Sequence, residues 1–110
     1  MDKQDANQTN TAHIFIKGKV DYSKIEELKD NFIAGLENSA IILDVSDVYD
    51  FDFFFFQLFC SFLKTVASKQ VKLTLVWREK NMFKSILENY GIDDATLKNF
   101  CLFSEEISHE

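Results

Sequence analysis

The hydrophobic and polar positions of this chain change their period several times between residue 13 and residue 100. Residues 13–20 alternate apolar and polar side chains, which is typical of a strand. From Tyr22 onward the apolar side chains recur every three or four residues, which predicts a helix. Asp21 or Ser23 can cap this helix by accepting hydrogen bonds from its first free amides. A continuous apolar run at residues 40–45 then predicts a strand that is buried on both faces.

The second half of the chain continues the alternation of strands and helices. Residues 46–50 are mostly polar and predict a turn. A helix is predicted from about Phe53 to Ser68, with Asp52 near its start, because its apolar residues fall at helical steps. The remaining predictions are a strand at residues 73–77, a helix at residues 82–90 that ends at Gly91, a short helix capped by Asp93 or Asp94 and ending at Lys98, and a final strand at residues 100–103.

This order of elements predicts a single α/β domain. Strands that alternate with helices indicate a small, mostly parallel β-sheet covered by three to four helices. No internal repeat or linker divides the chain. We expect the domain to span residues 13–103, with a flexible lead at residues 1–12 and an acidic tail at residues 104–110.

Composition and charge exclude several classes of protein. The 110 residues suffice for one domain, and the 3 glycines and absence of proline exclude collagen-like and low-complexity chains. With 12 basic and 18 acidic side chains the net charge is −6, so nucleic acid is not an expected partner. The first residues are polar and predict no signal peptide. The most apolar run, residues 51–63, is shorter than the roughly 20 residues that a bilayer requires. We therefore expect a soluble, cytoplasmic protein without membrane insertion.

Candidate chemistry is sparse. His13, Cys60, Cys101 and His109 lack the paired spacing of a zinc site, and we expect Cys60 to be an inert thiol in an apolar helix. No glycine-rich phosphate loop is present, so no cofactor is predicted.

Four aspartates form a cluster in the sequence after the central strand. They are Asp44, Asp47, Asp50 and Asp52. One interpretation is an enzyme that holds Mg²⁺ or receives a phosphoryl group at Asp44, Asp50 and Asp52, near the edge where α/β sheets bind ligands. The other is that these carboxylates belong to a turn and a helix start, where aspartate is favoured for capping.

The run Phe53-Phe54-Phe55-Phe56 departs most from ordinary patterning. Four consecutive helical residues cover nearly the whole circumference, so they cannot all face one sheet. Either the helix is buried on all sides, or one or two rings project outward and form an apolar patch that a partner or a second copy covers.

The order of motifs resembles the STAS family, the sulfate-transporter and anti-sigma-factor-antagonist domains. Residues 14–21 (IFIKGKVD) are similar to the family's opening strand, glycine and aspartate, and residues 41–52 (IILDVSDVYDFD) to its central strand, loop and aspartate. Residues 73–76 and the helix that ends at residues 90–92 follow in the family's order. In the family, this aspartate is followed by Ser, Ser or Thr, Gly and Leu, and a partner kinase phosphorylates the second hydroxyl residue. Alignment on Asp52 places Phe54 at that phosphoacceptor position and Phe56 at the leucine.

The resemblance implies a bacterial, non-catalytic regulator that binds a protein partner without the usual phosphorylation switch. Its partner would be an anti-sigma-type kinase, a chemosensory component or an ABC-transporter ATPase. The implied docking segment is residues 50–58, and its expected partner-binding residues are Asp50, Asp52, Phe53, Phe54, Phe56 and Gln57. The alternatives are a homodimeric scaffold assembled through the phenylalanines and the aspartate-based enzyme described above.

Overall fold

Strands and helices alternate along the chain as their hydrophobic periods indicate. The computed structural model describes residues 10–78, 82–99 and 102–106. Its elements are β1 (Thr11–Val20), a 3-10 turn (Tyr22–Lys24), α1 (Ile25–Gly35), β2 (Ala40–Phe51), α2 (Phe53–Lys69), β3 (Lys72–Arg78), α3 (Met82–Asn89), α4 (Asp94–Leu97) and β4 (Leu102–Glu106). The strands form one sheet in the order β1-β2-β3-β4, and every adjacent pair is parallel. The predicted α/β fold is confirmed.

The helices pack on one face of the sheet. Right-handed crossovers that always step to the next strand in the same direction place their helices on the same side. On β2, Ile41, Leu43 and Val45 are buried, whereas the intervening Ile42 and Asp44 are only half-buried. The prediction of a strand buried on both faces is therefore wrong, and the second face of the sheet is open.

Strand β2 continues through the segment for which the sequence predicts a turn. The predicted turn at residues 46–50 is wrong, because β2 extends to Phe51. The C-terminal part of β2 continues to pair with β1, and the last pair is Val20 with Phe51. At two places along this pairing β2 contains one residue more than β1, which is the pattern of a β-bulge. Val48 and Phe51 are buried. This pairing and burial outweigh the local turn preference of serine and aspartate, so the strand carries the chain directly to the start of α2.

Asp21 and Asp93 both form caps, but Asp21 caps the 3-10 turn, and α1 itself follows Lys24 without a side-chain cap. Asp21 accepts hydrogen bonds from Ser23, from the hydroxyl at 2.6 Å and the amide at 3.0 Å, and these bonds lower the pKa of Asp21. Asp93 accepts from the amide and the hydroxyl of Thr96, both at 2.9 Å, and its pKa is lowered for the same reason. Gly91 follows α3 with a φ of 96°, as predicted for a residue after a helix end.

The sheet extends beyond the predicted strands at both ends of the domain. Strand β1 begins at Thr11, two residues before the predicted start. In β4, Ser104 pairs with Val76 and Glu106 with Arg78, so residues 104–106 belong to the sheet and not to the predicted acidic tail. Residues 100 and 101 of the predicted last strand, the first nine residues of the predicted lead and residues 107–110 lie outside the described residues.

A cluster of phenylalanines sets the position of α2. Phe55, Phe59 and Phe83 are fully buried, and Phe51 is 4% exposed. The ring of Phe55 lies 5.0 Å from that of Phe51, and the ring of Phe83 lies 5.4 Å from that of Phe59. Such aromatic pairs contribute about 0.5–1.5 kcal/mol each beyond their area burial. They hold the first turns of α2 against the end of β2.

Candidate functional site

The candidate site lies at the start of α2, and Asp52 holds it together. One carboxylate oxygen of Asp52 accepts a hydrogen bond from the Phe55 amide at 3.0 Å and caps the helix. The other accepts from the Tyr22 amide at 2.9 Å, and the Asp52 amide donates to the Val20 carbonyl at 3.1 Å. The carboxylate therefore joins the β1–α1 connection to α2. Both of its oxygens are engaged in this structural task, as the capping interpretation expects.

The four consecutive phenylalanines divide between core and surface. Phe55 is fully buried and Phe56 is half-buried, whereas Phe53 and Phe54 are 52% and 53% exposed. Successive helical residues point about 100° apart, so inserting Phe55 into the core turns its two predecessors outward. Of the two interpretations left open by the sequence, the outward projection of two rings is confirmed.

The exposed rings join two tyrosines from other segments. We use the term aromatic patch for Tyr22, Phe53, Phe54, Phe56 and Tyr90. The ring of Tyr22 lies 5.2 Å from that of Phe54, and the ring of Phe53 lies 6.0 Å from that of Tyr90. Phe56 stacks on Tyr90 with 4.4 Å between the ring centroids. The patch thus consists of two ring groups, Tyr22 with Phe54 and Tyr90 with Phe53 and Phe56, which adjoin through the neighbouring residues Phe53 and Phe54.

The size of the aromatic patch is comparable to that of functional surfaces. Tyr22 and Tyr90 are 70% and 37% exposed. At about 200 Å² per aromatic side chain, these tyrosines together with Phe53 and Phe54 leave about 400 Å² exposed. The largest apolar patch on a typical monomer is about 300–600 Å² and is often functional.

Sequence reasoning identified the helical part of this surface and missed the two tyrosines. All six expected partner-binding residues lie in or directly before the first turns of α2; Asp50 is half-buried opposite Lys19, and Gln57 is exposed. Tyr22 follows the carboxyl end of β1, where parallel sheets usually place their ligands, so the topology offered a signal for it. Tyr90 belongs to an apolar helical stripe, and nothing in that stripe distinguishes its exposed ring from a core residue.

The aspartates of the enzyme alternative do not converge. Asp44 accepts hydrogen bonds from the amide of Ser46 at 2.9 Å and from its hydroxyl. Asp44 and Asp50 are six residues apart on the same strand, a separation of about 20 Å. Because the segment that carries them is extended, Asp44 lies far from Asp50 and Asp52, which does not support the enzyme interpretation. Within residues 10–78, 82–99 and 102–106, no group of three His, Cys, Asp or Glu side chains can hold a metal ion.

Of the remaining candidate residues, the structure describes Cys60 and His13. Cys60 is half-buried on α2, and burial raises the pKa of its thiol, which agrees with the expected inert cysteine. His13 is exposed on β1. Cys101 and His109 lie outside the described residues.

Comparison with protein-family models agrees with this architecture. The model described as STAS domain matches residues 3–105. The chain belongs to the STAS family. STAS domains have anti-sigma-factor-antagonist-like or transporter-associated roles, are generally non-catalytic and typically mediate protein–protein interaction. Neither the curated proteins nor the solved structures provide a significant match to this STAS domain. None of its described helices is long and apolar enough to cross a membrane.

Proposed function

We propose that this STAS protein is a cytoplasmic, non-catalytic regulator that docks on a protein partner through residues 50–58. The observation that carries the proposal is the half exposure of Phe53 and Phe54 at a helix start that is otherwise firmly anchored. Aromatic residues, phenylalanine included, are enriched in the cores of protein interfaces.

The magnitude of the apolar surface suits a moderate affinity. The exposed area of about 400 Å² includes tyrosine hydroxyls and backbone, so covering it stabilises a complex by less than about 10 kcal/mol at about 25 cal/mol per Å² of apolar area. Loss of translational and rotational freedom costs about 4–15 kcal/mol on association. The aromatic patch therefore supplies the anchor of an interface, and polar contacts around it, for example at Asp50 and Gln57, supply the remainder.

The proposed docking is constitutive. Alignment with the family motif places Phe54 where the phosphoacceptor hydroxyl stands, and a phenyl ring cannot accept a phosphoryl group. The usual switch, in which an added negative charge alters partner affinity, is then absent at this position. Candidate partners are an anti-sigma-type kinase, a chemosensory component or an ABC-transporter ATPase, and the loss of the hydroxyl favours a partner that needs no phosphorylation cycle.

The test is affinity capture from extract of the source cells with the full chain, followed by mass spectrometry. Phe54→Asp places a charge in the aromatic patch, and Ile33→Asp is the matched control, because Ile33 is 54% exposed on α1. We expect a stoichiometric partner to be retained by the wild type and by Ile33→Asp and to be lost by Phe54→Asp.

Two results would contradict the proposal. Equal capture by folded wild type and Phe54→Asp would move the interface away from the aromatic patch. A wild-type protein whose molar mass in solution doubles as its concentration rises, together with a Phe54→Ser variant that keeps the mass of a monomer, would instead assign the patch to a homodimer. Folding of each variant is checked by its urea unfolding midpoint.

A further inference from the structure

We draw no further inference here: the strongest candidate, the apolar groove between α1 and α2 that Phe32, Ile33, Leu36 and Leu58 line, carries nothing, because nothing in the structure shows what covers it.

Discussion

Replacement of Asp52 tests whether one carboxylate joins two elements at the docking surface. Asp52→Ala removes the helix cap, which costs about 0.5–2 kcal/mol. It also removes the hydrogen bond from the Tyr22 amide, which contributes about 0.5–1.5 kcal/mol. We therefore expect the free energy of unfolding to fall by about 1–3.5 kcal/mol in urea titrations. At about 4–8 °C per kcal/mol, the melting temperature should fall by about 4–28 °C.

Asp52→Asn separates the two contributions. The asparagine oxygen can still accept from the Phe55 amide, since Asn and Asp are comparable capping residues. Its amide nitrogen cannot accept from the Tyr22 amide, so only about 0.5–1.5 kcal/mol should be lost. Asp93→Ala serves as the control, because the Asp93 carboxylate accepts two hydrogen bonds from Thr96 of the adjacent short helix and joins no distant segment. Identical unfolding midpoints for wild type and Asp52→Ala, or equal losses for the alanine and asparagine variants, would refute this reasoning.

Three further predictions concern the core, the pH dependence and the thiol. Phe55→Ala should lower the free energy of unfolding by about 3–5 kcal/mol, because Phe55 is fully buried. Phe53→Ala should lower it by less than about half as much, because the Phe53 ring is half-exposed. Equal decreases in the free energy of unfolding for the two variants, measured by urea titration, would contradict the assigned burial. Hydrogen bonds lower the pKa values of Asp21 and Asp93 in the folded protein. The two ionised carboxylates therefore stabilise the fold above the unfolded-state pKa of about 4, and this stabilisation is lost as the pH falls through the folded-state pKa values. Melting temperatures between pH 5 and pH 2 should therefore fall less steeply for a variant with asparagine at both positions, and an unchanged slope would contradict the prediction. Burial raises the pKa of Cys60, so its alkylation by iodoacetamide at pH 8, followed by peptide mass mapping, should be slower than that of a free cysteine; an equal rate would show an accessible thiolate.

Much of the candidate site was predictable because its first determinant is local. Asp52 followed by an apolar helical period predicts a capped helix start, and four phenylalanines on one turn cannot all face a sheet. Which two rings face outward depends on the rotation of α2 about its axis. That rotation follows from the insertion of Phe55 beside Phe51 and Phe83, and the contact with Phe83 joins α2 to a helix far along the sequence.

The failed turn and the separation of Asp44 from Asp50 share one cause. Serine and aspartate at residues 46–50 favour a turn locally, yet they lie in a strand because β1 is available to pair with them. The same pairing keeps Asp44 and Asp50 apart on an extended chain, where the sequence alone allows them to converge. Local preferences of about 1 kcal/mol are outweighed when several backbone hydrogen bonds and two buried side chains act together.

The sequence by itself determined the order of strands and helices, the capping residues and the membership in an α/β family, because periodicity and capping act within a few residues. The tertiary structure decided which face of the sheet is covered, how far β2 extends, and that Tyr22 and Tyr90 join Phe53 and Phe54 in one surface. Each of these three features depends on contacts between segments that are distant in the sequence. The free energy of such a contact depends on both segments, so neither segment predicts it alone.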